Sequence, residues 1–318
     1  MYENMEMRQV FSSELEKIMH ADERVVCIDA DLARANGTLG LRGKFPDRAF
    51  DVGVAEQNMA SVAAGLAAYG FIPFIGSFTA FATRRICDQV TISISYAKRN
   101  VKIVGSDPGI AAELNGGTHM SFEDIGVMRS IPGMVIFEPV DGMQLAKAMP
   151  AIVKYEGPVY IRLFRKPAPE IFGEDYQFDL FQADRLQAGN DVSIFASGIM
   201  VAHAVRACAM LKEQGVIADL INLHTIKPVD RESILESVRK TGAVVTCENH
   251  NIIGGLNSAV CEVLSAECPA PVHANGIRDH FGEVAKTDYL LKKYKMTPED
   301  IAQAALHVVA MKKQGGNK

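Results

Sequence analysis

No apolar run in this 318-residue chain approaches the length needed to cross a bilayer. The first residues, Met1 to Arg8, lack the apolar centre of a signal peptide, and a cytoplasmic location is expected. The six cysteines (Cys27, Cys87, Cys208, Cys247, Cys261, Cys268) never fall at CxxC spacing. That scatter argues against a zinc site and reads as reduced thiols, mostly filling core space. Positive charge is not in excess either: 33 Lys and Arg stand against 38 Asp and Glu, a net charge of −5. Nucleic acid and anionic membranes are therefore poor partners. Neither a GxGxxG run nor a Walker loop is present. No carboxylate cluster has convincing Mg²⁺-ligand spacing, so no metal ligand is assigned to this chain.

What the chain does have is alternation. Short apolar runs at Val25–Ile28, Phe71–Phe74, Val101–Val104, Val135–Phe137 and Val159–Arg162 read as buried strands. Helical patterns over Gln9–His20, Glu56–Tyr69, Phe81–Tyr96, Phe122–Arg129 and Gly142–Tyr155 separate them. A break follows at Lys166-Pro-Ala-Pro169, and residues 166–190 lack clear periodicity. A second alternating unit begins at Asp191, with strands at Val192–Ala196, Ala218–Asn222 and Ala243–Cys247. Helices are expected at Val201–Gln214, Arg231–Lys240 and Leu256–Glu267, with a last one from Pro298 behind Thr297 as N-cap. The expected architecture is α/β: two three-layer αβα domains, 1–165 and 191–318, each with a mainly parallel sheet, joined by a linker at 166–190.

One stretch is more informative than the rest. Asp51-Val-Gly-Val-Ala-Glu-Gln-Asn-Met59 puts Glu56 at the start of a helix built almost wholly of small residues, Ala60 to Tyr69. Small side chains let that helix lie close to its neighbours, so Glu56 is expected to be buried, and a buried carboxylate needs a hydrogen-bonding partner. Taken alone, a glutamate here is more commonly a helix-dipole residue. The Ala55-Glu-Gln-Asn-Met59 run, however, resembles the signature of the pyrimidine-binding domain of transketolases. The resemblance continues through Gly76-Ser-Phe-Thr-Ala-Phe-Ala-Thr-Arg84, Gly116-Gly-Thr-His119, Phe122-Glu-Asp124 and Thr225-Ile-Lys-Pro228, to about Ala305. It matches only the second half of a full-length transketolase.

The resemblance implies thiamine diphosphate as cofactor, with Glu56 hydrogen-bonded to the aminopyrimidine ring so as to favour its basic imino tautomer. It implies that Phe78 and Phe81 line the pocket for that ring, where an aromatic face adds area and orientation. Arg84 follows in a segment that also lines the pocket, although an i,i+4 pair with Asp88 is an equal expectation. His119, in a glycine-rich loop, is implied to touch substrate and assist catalysis. Arg8 and Arg165 resemble the family's phosphate-binding arginines, whose forked guanidinium suits phosphate oxygens. In isolation, each of these residues would more often be ordinary core or surface.

Three departures stand out. Ala35 occupies the position of a phosphate-contacting Ser, Asp107 that of a His, and Asn115 that of an Asp that reads sugar hydroxyls. An aspartate against a phosphate repels it, so the usual pentose phosphate is in question while the ketol-transfer residues are kept. His250 and Lys227-Pro228 read as structural. The family's Gly-Asp-Gly…Asn motif for the diphosphate and its Mg²⁺ (or Ca²⁺) is missing from the chain. The expected protein is thus the C-terminal subunit of a split transketolase, with two copies of each chain and a partner N-terminal subunit that holds the diphosphate. The reaction would move a two-carbon ketol unit from a phosphorylated ketose to an aldose. Two alternatives stand beside it: the beta subunit of a 2-oxoacid dehydrogenase first component, and a non-catalytic assembly subunit.

Overall fold

A computed structural model describes Tyr2 and residues 4–315. Among the described residues, twelve strands form two sheets. The first contains β1 (Val25–Asp29), β2 (Ala49–Asp51), β3 (Ile72–Phe78), β4 (Lys102–Ser106), β5 (Val135–Phe137) and β6 (Val159–Leu163). The second contains β7 (Asp184–Gln187), β8 (Val192–Ala196), β9 (Ala218–Asn222), β11 (Val244–Asn251) and β12 (Val272–Ile277), while β10 (Thr225–Lys227) crosses back to the first. The orders are β10-β5-β6-β4-β3-β1-β2 and β12-β11-β8-β9-β7. All pairings are parallel except β10 on β5 and β7 on β9.

The runs Val25-Val-Cys-Ile-Asp29, Val159-Tyr-Ile-Arg-Leu163 and Val192-Ser-Ile-Phe-Ala196 are buried along their whole length. That is the pattern of strands covered by helices on both faces. The helix Glu56–Ala68 lies against β3 and buries Met59, Ala60, Ala63 and Ala64. The last helix begins as expected: Thr297 Oγ1 accepts from the Asp300 amide (3.4 Å) and Asp300 accepts back from the Thr297 amide (3.0 Å).

Several elements differ from the sequence reading. The stretch 166–190 is not wholly irregular, because β7 forms there as a half-exposed edge strand on β9. The helix expected over Phe81–Tyr96 is divided. Thr79–Ala82 is one turn, Arg84–Ile86 is a 3₁₀ turn, and Val90–Tyr96 is a π-helix. Thr83 carries the break with φ −127° and ψ −81°, while its hydroxyl bonds back to the Thr79 carbonyl (2.7 Å). The β-branched Val90, Thr91, Ile92 and Ile94 beyond it crowd an ordinary α-helix. Lys227 and Pro228 bound a strand of the other sheet and are joined by a cis peptide.

The two units share a core. One buried cluster runs from Ile28 and Ile103 through Ile226 to Phe195, Ile221 and Val244. A polar knot lies in the same junction. Arg162, fully buried, donates to Asp124 (Nε, 2.7 Å), Glu138 (Nη1, 2.5 Å) and the Asn249 carbonyl (Nη2, 2.8 Å). Tyr160 also donates to Asp124 (2.8 Å), and Ser197 donates to Glu138 (2.7 Å). These groups satisfy one another, as a buried charge requires. His250 is buried beside them, and burial pulls its pKa down to about 4. Nearby Glu248 accepts from the Leu256 and Asn257 amides at the start of the helix Leu256–Glu267 (2.6 and 3.0 Å). Burial pushes its carboxyl up to about 8 despite those bonds.

Candidate active site

The residues singled out from the sequence gather at the carboxyl ends of β3, β4 and β6, where open α/β sheets commonly bind ligands. Phe78 closes β3, Asp107 follows β4, and Arg165 follows β6. Glu56, only 4% exposed, opens the helix behind the β2 loop. Asp51 shapes that loop: it pairs with Arg42 and accepts from the Gly53 amide (2.6 Å) and the Asp31 amide (3.1 Å).

Phe78, Phe81 and His119 form an aromatic cluster. The ring centroids of Phe78 and Phe81 lie 6.2 Å apart, and His119 meets both edge-on at 5.5 and 5.1 Å. Thr118 Oγ1 holds His119 Nδ1 at 2.9 Å. Both phenylalanines are half-buried, so part of each ring faces outward.

Arg84 does not form the i,i+4 pair with Asp88 and donates to Glu123 instead (2.6 Å). The arginine against Glu56 is Arg85, whose Nη1 donates to Glu56 Oε1 at 2.7 Å. Its guanidinium also sits 3.8 Å from the Phe81 ring centroid, a close cation–π contact. The cause is the break at Thr83: a continuous helix would set Arg84 one turn after Phe81, and the non-helical residue shifts that phase.

The two remaining arginines are brought together. The Arg8 amide donates to the Arg165 carbonyl (3.3 Å), and Arg8 Nη1 reaches the Ala35 carbonyl (3.4 Å). Both are paired with carboxylates. Arg8 Nε bonds Glu6 (2.6 Å), and Arg165 Nε bonds Asp107 (2.5 Å) while packing 5.1 Å from the Phe78 centroid. Burial raises the Asp107 pKa, and Arg165 opposes that shift. Asp107 has φ +53°, a left-handed conformation for which Asp and Asn are suited. The turn bearing Ala35 is fixed from below: Asp29 accepts from Asn36 (3.1 Å) and Thr38 (2.7 Å), and Asn36 accepts from Ser106 (3.0 Å).

Asn115 is exposed at the end of the 3₁₀ stretch Gly109–Asn115, on the same loop as His119. Residues of the second unit, which sequence reasoning missed, hold this loop. Asn249 accepts from the Ile110 amide (2.9 Å) and donates to the Pro108 carbonyl (2.9 Å). A Cβ on Gly109 would overlap Asn249, so only glycine fits there. Glu113, at the unusual φ of +44°, accepts from the Thr287 amide (3.0 Å) and pairs with Lys166 (2.5 Å).

A buried carboxylate joined through Arg85 to a pair of part-exposed phenylalanine rings fits the pyrimidine half of a thiamine cofactor. Among the described residues, no group of three or more His, Cys, Asp or Glu side chains could hold a metal ion. No described helix is long and apolar enough to cross a membrane.

Comparison with known proteins identifies the family. Residues 3–170 match the transketolase pyrimidine-binding domain, and residues 182–301 match the transketolase C-terminal domain. The chain belongs to the transketolase family. It is 54% identical, over 96% of its length and 95% of the relative's, to a 6-deoxy-6-sulfo-D-fructose transketolase subunit from Clostridium sp. (strain MSTE9). It is 36% identical to an apulose-4-phosphate transketolase subunit of Phocaeicola vulgatus, covering 95% of this chain and 97% of that one. Among solved structures, a split-gene transketolase described as an inactive beta4 tetramer superposes with a TM-score of 0.90. It is 41% identical over 96% of this chain and 99% of that one. This transketolase chain is therefore of the C-terminal, split-subunit type, with the two-domain α/β fold of the family.

Proposed function

We propose that this chain, joined to a separate subunit that holds the diphosphate of thiamine diphosphate and its Mg²⁺ (or Ca²⁺), transfers a two-carbon ketol unit from a ketose to an aldose. One observation carries the reading: buried Glu56 is joined through Arg85 to Phe81, which packs with Phe78 and His119 past the end of β3. The cofactor, when bound, supplies the carbon nucleophile and the electron sink for breaking a carbon–carbon bond. Glu56 holds a proton at a pyrimidine ring nitrogen and so sets the tautomer. Phe78 and Phe81 exclude water from that ring and orient it. Arg85 neutralises Glu56 and keeps its carboxyl in one place. His119 hydrogen-bonds the substrate's carbonyl or hydroxyl oxygen, and Asn115 reads hydroxyls from the same loop. On this reading residues 1–165 carry the chemistry, and 191–318 build the assembly and brace the substrate loop through Asn249 and Glu113. The six free cysteines suit a reducing cytoplasm.

Arg8 and Arg165 take the terminal anion of the ketose. Each already carries a carboxylate, Glu6 and Asp107, so the subsite offers less positive charge than two free arginines. A sulfonate carries one negative charge, whereas a phosphate monoester carries about 1.5 to 2 at neutral pH. The charge pairing therefore favours a sulfonated ketose over a phosphorylated one, in line with the 54% identity to the sulfofructose transketolase subunit.

The inactive beta4 tetramer among the relatives supports a need for a partner chain; an assembly with two copies of each chain is the simplest closed form. The test is a coupled ketol-transfer assay with thiamine diphosphate and Mg²⁺, on this chain alone and with an N-terminal transketolase subunit. Activity is expected only in the mixture. Glu56→Gln is expected to abolish turnover while the complex still assembles. Near-normal turnover in that variant would sink the assignment.

A further inference from the structure

A cavity of about 590 Å³ opens between the edge strand β12 and the helix Pro298–Gly315, outside the aromatic cluster of the candidate active site. Its size falls within the range of small-molecule sites. Its lining reverses the charge of the chain as a whole, which is −5. Arg278, Lys293, Lys295, His273, His280 and His307 all border it. Lys293 is neutralised by Glu283 (2.5 Å). Asp300, the carboxylate among the described lining residues, is occupied by the amide and hydroxyl of Thr297 (3.0 and 2.8 Å). Arg278 turns one nitrogen onto the Ala274 carbonyl (3.1 Å) and keeps its remaining donors. Arg278 and Lys295, with no carboxylate bonded to either, thus outnumber the one lining carboxylate, Asp300, among the described residues.

Two imidazoles line the same wall. His273 and His307 lie 6.2 Å apart, centroid to centroid. Burial first, and then the charges of Arg278 and His307, pull the His273 pKa below its ordinary value. Like charges held together in a cleft favour a multivalent anion. Beside them, His280 and Tyr294 pack ring to ring at 4.6 Å with a tilt of 42°.

We propose that this cavity binds a phosphorylated metabolite, its phosphate held by Arg278 and Lys295 and its sugar or base lying toward the His280–Tyr294 pair. Arg278 and Lys295 are exposed and outside the core, so changing them leaves the fold intact. Both rings of the pair also pack edge-on against Phe122, at 6.5 and 6.1 Å. Phe122 follows His119 closely in the chain, so an occupied cavity would stiffen the loop that carries that histidine.

The experiment is calorimetric titration of the full-length chain with AMP, ribose 5-phosphate and inorganic phosphate, repeated on the double variant R278S/K295S. It needs no enzymatic activity, so its failure is distinct from failure of the ketol-transfer reading. AMP and ribose 5-phosphate are expected to bind with dissociation constants of about 1 mM or tighter. The double variant should melt like the parent and bind roughly tenfold more weakly or worse. Tighter binding of AMP than of ribose 5-phosphate would make the ligand a nucleotide, and the reverse a sugar phosphate. Absence of binding by all three probes, or unchanged affinity in the double variant, overturns the proposal.

Discussion

Replacing Asp107 with asparagine tests which anion the donor carries. The backbone at this position has φ +53°, which asparagine accepts more readily than most residues, so the loop after β4 keeps its course. The amide oxygen can still receive the Arg165 Nε–H that Asp107 now holds at 2.5 Å. What changes is one unit of negative charge. An anion on the far side of the Arg165 guanidinium sits roughly 6 Å from that carboxylate. At that distance, and with an effective dielectric between about 20 and 80, two unit charges interact by about 0.7 to 2.8 kcal/mol. A phosphate donor feels the repulsion of Asp107 more than a sulfonate does, by about 0.5 to 1 unit of charge. Asp107→Asn should therefore shift preference toward phosphate by about 0.4 to 2.8 kcal/mol, or roughly two- to a hundredfold in relative kcat/KM. The assay compares fructose 6-phosphate with 6-deoxy-6-sulfofructose as donors in the assembled enzyme. Glu56 and the phenylalanine pocket are untouched, so cofactor binding serves as the internal control. An unchanged ratio, or a shift toward the sulfonate, would refute the electrostatic argument.

Three further outcomes follow from the same geometry. Arg85→Ala leaves the buried Glu56 carboxylate without its cation and should lower stability by about 1 to 2 kcal/mol, discounted for the partial exposure of Arg85, with weaker cofactor binding; thermal melts with and without thiamine diphosphate check both. Arg162→Met strands Asp124 and Glu138 at the junction of the two units and should cost about 3 to 5 kcal/mol, read by urea denaturation. Glu248 has a folded pKa near 8, above its ordinary 4.5. It therefore binds a proton more readily when folded, and its contribution to stability is full below about 4.5 and is lost as pH rises toward 8. Glu248→Gln should flatten that part of the pH–stability curve relative to the parent, and parallel curves would show that Glu248 does not titrate there.

Much of this architecture was legible because its central strands are buried on both sides. Runs such as Val25–Asp29 and Val192–Ala196 are apolar almost without interruption, which is how a strand covered on both faces reads. The edge elements were not legible. β12 contains His273, Asn275 and Gly276, β7 is half-exposed, and β10 is three residues long, so each pairs through its backbone with little apolar signal. Burial of Glu56 could be read from the small residues after it, since the helix they form must lie close to β3. Arg85 could not, because helical phase was assumed through Thr83, and a single non-helical residue turns Arg85 onto Glu56. Asn249 and Glu113 were missed for a different reason. Asn249 contacts Ile110 and Pro108 across some 140 positions, Glu113 contacts Thr287 across 174, and no local pattern encodes such distances.

The exchange of β10 has a practical consequence for anyone who wishes to dissect this protein. Cutting the chain at Asn190 looks natural, yet it would strip the first sheet of the antiparallel strand that covers β5. The N-terminal fragment would present a bare row of amide and carbonyl groups, an invitation to pair with other fragments and precipitate. The C-terminal fragment would carry Ile226, now 1% exposed, out into water. A cut after Lys227 would instead part β8 from β11, so expression trials should leave the chain whole.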